Sequence, residues 1–296
     1  MSTLRELKSR IGSVASTQKT TAAMKMISSA KMHKFTTQVQ RMLPYRNMVQ
    51  SVIGHLLATD VEFSSVLISE REVKNLALVV FGSDDGLCGA FNMNMLKYLL
   101  KVIDQVHEDF GSHVAVTVIP VGKKMTKAVL GVKNPDFKVE TVDYMNTRST
   151  AQELHDFTHW LKTRFVGQEL DRIDLVYMHY KSTSRQNAQR DQFLPVSYKA
   201  LADSAAGKRE ASSPCLFEPD ANSIFNSVLP LFIRSMMQEV FTESSASEQA
   251  ARVMAMQTAS DNAKDLLESL NLEYNKLRQQ SITTELLDIL GGQVER

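Results

Sequence analysis

A chain of 296 residues with 43% hydrophobic side chains, 34 Lys plus Arg and 33 Asp plus Glu carries enough apolar mass for a sizeable core in one or two domains. Its formal net charge of +1 excludes a uniformly basic nucleic-acid binder but leaves room for local asymmetry. Two distant cysteines, Cys88 and Cys215, make neither a disulfide framework nor a metal cluster and fit a reducing compartment. The opening Met1-Ser2-Thr3-Leu4-Arg5-Glu6-Leu7 lacks the apolar run of a secretory signal. No window reaches the ~18 apolar residues of a membrane span, so a membrane role is expected only at the periphery.

The first segment, 1–58, predicts one long helix. Glycine and proline are costly inside helices, and from Ser2 to Leu43 the only such residue is Gly12. Steps of three and four give a seam of Leu4, Leu7, Ile11, Val14, Gln18, Thr21, Lys25, Ser28, Met32, Phe35, Val39, Met42, Arg46, Val49, Ile53 and Leu56. A heptad register kept this long implies a partner helix, because 3.5 residues per turn holds one stripe inward. At 1.5 Å per residue the helix is about 80 Å long and must protrude from a compact body. Pro44 is expected to kink it. The segment is basic: Glu6 is the only acid from Met1 to Thr59.

The middle, 73–214, holds most of the remaining glycines and prolines and alternates strand-like with helix-like runs. Strands are expected at Leu76–Phe81, Val114–Val121, Phe137–Val142 and Ile173–Tyr180, and Gln192–Tyr198 adds an edge strand. Helices are expected at Phe91–Phe110, Lys124–Leu130 and Ala151–Phe165. Such alternation implies parallel pairing with right-handed crossovers, a Rossmann-like α/β domain. Ala202–Pro214, rich in Ala, Ser and Gly, reads as a loop or linker.

The last segment, 215–296, has no glycine or proline between Pro230 and Gly291. Its seam is Ala246, Ala250, Val253, Met256, Ser260, Ala263, Leu267, Leu270, Tyr274 and Leu277, with small residues that admit a close neighbour. It is acid-rich, opposite in sign to the first helix, which favours pairing of the two ends. Exposed ion pairs contribute about 0.2 to 1 kcal/mol each, and the apolar seam contributes more. The fold class is therefore α/β, with a long antiparallel coiled coil made by the N- and C-terminal helices.

Several residue sets invite a chemical reading. Gly82-Ser83-Asp84-Asp85-Gly86-Leu87-Cys88-Gly89 follows a strand and opens a helix, where backbone N–H groups can hold phosphate. It lacks Gly-Lys-Ser/Thr and G-x-G-x-x-G, its two aspartates repel phosphate, and Gly122-Lys123-Lys124 stands where an acid would hold a ribose. A structural turn is the favoured reading, with a nucleotide-dependent oxidoreductase as the rival. Cys88 reads as a packed thiol. His155 and His159 lie one helical turn apart but lack further ligands, and His113 and His179 read as satisfied core or edge histidines. The methionines of both ends default to flexible packing. The basic first helix permits a nucleic-acid arm, yet Phe35 and Tyr45 are its only aromatics before Phe63, so base stacking has little support. Neutralisation by the acidic helix is the plainer account, with an acidic protein surface as the remaining target.

Two features point to a surrounding partner. The seam turns polar at Gln18, Thr21, Lys25 and Ser28, which is costly unless it fixes register or meets another protein. The tip Ile282, Leu286, Leu287, Ile289 and Leu290, ahead of Gly291-Gly292, is apolar on more than one face and cannot be enclosed by two helices.

Thr17-Gln18-Lys19 with Ala23-Met24-Lys25-Met26, the run Asp84 to Asn92, Glu218-Pro219-Asp220, Ala246 to Arg252 and Tyr274 to Leu286 together closely resemble the γ subunit of bacterial F-type ATP synthases, in order and over nearly the whole chain. The resemblance implies a central rotor shaft without catalytic site or cofactor of its own, coupling proton flow through the membrane c ring to conformational cycling of β-subunit catalytic sites, reversibly with hydrolysis. It implies α and β subunits around the rod, ε and the c ring at the body, no nucleic acid, and a peripheral place on the cytoplasmic face of the bacterial inner membrane. By position, Met24 and Lys25 resemble residues beside the acidic lever loop of a β subunit. Arg278, Gln279, Thr283 and Glu285 resemble the polar catch with the β ring, Ile282, Leu286, Leu287, Ile289 and Leu290 the tip in its sleeve, and Cys215, Phe217 and Glu218 the contact with c ring and ε. Asp85 stands where the family usually has arginine, Ala22 where it has a polar or basic residue, Gln280 for alanine and Cys215 for an aromatic.

Overall fold

The computed structural model describes residues 3–57, 61, 63–133, 135–197 and 217–294. Helix α1 runs unbroken over Leu4–Leu57, and the last helix, here α5, over Ala221–Val294. Each contains a proline, Pro44 and Pro230, without a break in the helix. Every position of the predicted seam in α1 is buried or half-buried, from Leu4 to Leu56. The same holds for the seam of α5 from Ala246 to Leu277. The two helices run antiparallel. Val49, Ile53 and Leu56 share a core with Phe225, Leu229 and Ile233; Arg46 pairs with Glu239; and Met24 borders a cleft shared with Ser245, Glu248 and Gln249. As residue numbers rise along α1, they fall along α5.

Charge plays a smaller part in this pairing than the sequence suggests. Among the described residues one ion pair, Arg46–Glu239, joins the two helices. Arg5, Lys8, Arg10, Lys19, Lys31, Lys34 and Arg41 are exposed. They sit outside the seam and form no ion pair with α5 among the described residues, so apolar and small seam residues carry the pairing, and the basic face of α1 stays open to other molecules.

The body is a five-stranded sheet in the order β3-β2-β1-β4-β5. Its strands are β1 (Asn75–Phe81), β2 (Ala115–Val121), β3 (Lys138–Val139), β4 (Arg172–Ser182) and β5 (Arg185–Leu194). β1 pairs in parallel with β2 and β4, and β2 with β3, as the alternation of strands and helices requires. The last strand corrects the expectation of an edge strand at Gln192–Tyr198: it begins at Arg185, ends at Leu194 and forms an antiparallel hairpin with β4. Arg185-Gln186-Asn187-Ala188-Gln189-Arg190 is nearly all polar, so no apolar alternation marked it. The strand expected at Phe137–Val142 shortens to two residues.

Helices α2 (Phe91–Phe110), α3 (Lys123–Leu130) and α4 (Ala151–Val166) fall close to their expected bounds. The start of α4 is set by a capping box, Thr150 Oγ1 accepting from the Glu153 N–H while the Glu153 carboxylate accepts from the Thr150 N–H. Strand residues alternate between two cores, as the period of two demands. Leu76, Leu78 and Val80 pack against α2 and α3. Ala77, Val79 and Phe81 pack against α4 and, beyond it, the first half of α5 and the last turns of α1. The rod is thus rooted in one face of the body. The Ala202–Pro214 segment lies outside the described residues.

Candidate functional site

The loop after β1 spends its polar groups on the protein itself. Ser83, fully buried, donates through its N–H to Asn92 Oδ1 at 3.1 Å, accepts from Asn92 Nδ2 at 2.6 Å and donates through its hydroxyl to the Asp85 carbonyl at 2.8 Å. The Asp84 carboxylate accepts from the Lys123 N–H at 3.0 Å and from the N–H and hydroxyl of Thr147 at 3.0 and 2.7 Å. A Cβ on Gly82 would lie 2.3 Å from Met125 Cβ, so this glycine lets α3 approach the loop. The segment forms the turn between β1 and α2, with the side chains of Ser83 and Asp84 held by the protein itself. Cys88 is buried, its Sγ 3.6 Å from Ser83 Oγ and from Asn92 Nδ2. Asp85 pairs with Arg148 at 2.6 Å.

The two histidines one turn apart on α4 differ in exposure. His159 is exposed, with Thr163 Oγ1 3.4 Å from its Nδ1, whereas His155 is half-buried. No cluster of His, Cys, Asp and Glu with metal-holding geometry occurs among the described residues. His179, on β4, faces α5 with its Nδ1 2.7 Å from Glu243 Oε2.

The open surfaces that hold the expected contact residues lie on the rod. Met24 and Lys25 are half-buried, flanked by Met26 and Ile27 at 67% and 57% exposure. Met24 lines a cleft of about 640 Å³ bounded by α1, the Gly86 turn, the start of α4 and α5; Lys31, Lys34, Leu87 and Phe241 also line it. Arg278, Gln279, Thr283 and Glu285 are exposed farther along α5, and Thr283 Oγ1 donates to the Gln279 carbonyl at 2.9 Å. The antiparallel pairing puts Met24 and Lys25 partway along the rod and the second set nearer its free end, so the two sets do not converge. At that end Ile282, Leu286, Leu287 and Ile289 are 46–63% exposed; the side chain of Leu290 lies outside the described residues. Phe217 packs partly against the core of the body, Glu218 is exposed, and Cys215 lies outside the described residues.

One feature escaped the sequence reading: a row of polar residues on α5, half-buried Glu239 and buried Glu243, Ser247 and Glu248, that meets α1 and the body. Burial pushes the Glu243 and Glu248 carboxyls up, against the opposing pull of His179 and of Arg252. The available signal was the polar run Thr-Glu-Ser-Ser-Ala-Ser-Glu-Gln inside a helix expected to bury a seam.

The comparisons with known proteins agree on this plan, a rod of two chain termini on a mostly parallel α/β body. A family model described as ATP synthase matches residues 3–294. An ATP synthase gamma chain of Phocaeicola vulgatus is 40% identical over 294 residues, 99% of both chains. That of Bacteroides thetaiotaomicron is 37% identical over 303 aligned positions, with 100% of both covered. Among solved structures, a chain of the Euglena gracilis mitochondrial ATP synthase (OSCP/F1/c-ring, rotational state 3) superposes with a TM-score of 0.66 at 20% identity, covering 98% of this chain and 93% of that one. A chain of the Tetrahymena thermophila mitochondrial central stalk and c ring gives 0.56 at 23% identity, covering 81% and 99%. At those identities the structures speak for the fold, and the sequence relatives speak for the family. The chain belongs to the family of ATP synthase gamma chains.

Proposed function

We propose that the chain is the central rotor shaft of an F-type ATP synthase, coupling ion flow through a membrane c ring to the cycling of β-subunit catalytic sites, with no reaction of its own. The observation that carries this reading is the continuous two-helix rod, basic on the open face of α1 and bare and apolar at its tip, standing on an α/β body. Exposed apolar ends of this size call for an enclosing partner, and a ring of α and β subunits supplies one. An asymmetric rod contacts each β subunit differently at any instant and biases it toward a different state, which is population shift imposed mechanically.

In this reading Met24 and Lys25 meet an acidic loop of a β subunit, and Arg278, Gln279, Thr283 and Glu285 form a polar catch with the ring. The tip Ile282, Leu286, Leu287, Ile289 and Leu290 turns in an apolar sleeve. Cys215, Phe217 and Glu218 face ε and the c ring. Residues 1–58 and 215–296 then form the rod and 73–214 the body. No described helix is long and apolar enough to cross a membrane, so attachment is through the complex; we place it on the cytoplasmic face of the inner membrane. Co-purification tests the reading: recovery of a single copy with each ring of α and β subunits supports it, and a free monomer that ignores those subunits contradicts it.

A further inference from the structure

Helix α5 is polar where it is most buried. Every residue from Thr242 to Ala250 is buried, although the segment contains two glutamates, a glutamine, three serines and a threonine. A helix enclosed on all sides is ordinarily apolar; here Thr242 and Ser245 donate to carbonyls of their own helix, and others of these polar groups are answered from outside it. Three of the answers fall on one stripe. Glu239, Glu243 and Ser247 are spaced by four residues and lie one above another. Glu239 pairs with Arg46 of α1. Glu243 Oε2 lies 2.7 Å from His179 Nδ1 of β4, and Ser247 Oγ donates to the Met178 carbonyl of the same strand at 2.8 Å. One turn on, Arg252 pairs with Glu248 at 2.7 Å and donates to the Asp85 and Gly86 carbonyls at 3.3–3.4 Å. The hairpin tip also reaches α1, with Thr183 Oγ1 3.8 Å from Met32 Sδ.

The apolar root of the rod holds it against the body, but burial is non-directional and changes little when one smooth surface slides or twists over another. Hydrogen bonds and ion pairs weaken steeply with angle and distance. A line of them across the boundary between body and rod opposes rotation of one against the other. The small Ser and Ala side chains bring the α5 backbone near enough to β4 for these bonds to form.

We propose that Glu243 and Ser247 of this stripe form a spline that keys the rod to the body, while Glu239 ties the two helices of the rod together, and that Glu243, Ser247 and His179 are positioning residues for torque transmission, touching neither nucleotide nor ion. The proposal rests on the reading of the chain as a rotor shaft. The test uses the assembled complex, its α/β ring fixed to a surface and a bead attached to the body of this chain, with angular fluctuation recorded while catalysis is paused. Glu243→Ala and His179→Ala are expected to widen the angular variance about twofold, since each removes one charge-assisted bond. The ratio of protons pumped to ATP hydrolysed under load is expected to fall with it. The exchanged pair His179→Glu with Glu243→His is expected to restore both. Leu161→Ala, a buried change in α4 away from the stripe, serves as the control and is expected to lower the melting temperature at wild-type variance. If Glu243→Ala fails to assemble, Ser247→Ala, which deletes one hydroxyl, gives the same reading. Wild-type variance in the stripe variants, or equal widening by Leu161→Ala, overturns the spline. A wild-type chain that does not assemble or turn overturns the shaft reading instead.

Discussion

Met24 sits half-buried at the mouth of the cleft, with two exposed apolar neighbours and the ammonium groups of Lys31 and Lys34 bordering the same space. A lysine there adds a fifth cation to a region already lined by Lys31, Lys34, Arg148 and Arg252 and facing the proposed stator, where an unpaired charge is expensive. Met24→Lys is expected to leave the fold intact while lowering ATP synthesis relative to hydrolysis; equal loss of both activities, or of neither, removes Met24 from the contact surface. Glu248 gives a different kind of test. Burial raises its folded pKa above the ordinary 4.5, and Arg252 only partly opposes this. In the window just above 4.5 the folded chain therefore binds more protons than the unfolded one, so this group's contribution to stability falls as pH rises through that window. The stability of wild type minus that of Glu248→Gln is expected to decrease over the same window, measured by urea unfolding at a series of pH values; a difference that grows with pH contradicts the assignment.

Among the elements, the long helices were legible because a seam repeated over many turns leaves one reading, and each of its positions is shielded as expected. The strand β5 was not legible, because an edge strand with polar side chains shows no apolar period and its pairing with β4 is a long-range fact. The turn between β1 and α2 was half legible: its departure from phosphate-binding patterns could be read, but not that Asn92, Thr147 and Lys123 consume its polar groups. Glycines give the sharpest test at this scale. Gly122 has φ +107° and a Cβ there would lie 2.9 Å from the Ser83 carbonyl oxygen, whereas Gly12 sits in α1 with open space around it. Gly122→Ala is expected to destabilise the chain by about 1–3 kcal/mol through backbone strain. Gly12→Ala is expected to stabilise it by about 0.5–1 kcal/mol through helix propensity. Thermal unfolding of both variants decides; a harmless Gly122→Ala would show that the turn relaxes.

For the molecule as a whole, the free tip has a measurable consequence. Ile282, Leu286, Leu287 and Ile289 are 46–63% exposed in the isolated chain. A hydrophobic dye is expected to bind it, and removal of residues 282–296 is expected to abolish most of that binding without moving the melting temperature, because the body and the rooted part of the rod lie elsewhere. Undiminished dye binding after truncation would locate the apolar surface in another part of the molecule. The sequence by itself determined the two helices, the parallel strands and the need for an enclosing partner, since periodicity, the cost of glycine and proline in helices and unburied apolar area are all local quantities. Only the tertiary structure decided that among the described residues a single ion pair joins the basic helix to α5, that the root of the rod is part of the body's core, and that a polar stretch of α5 is buried against β4. Those outcomes depend on which distant groups come within bonding distance, and spacing along one chain does not contain that information.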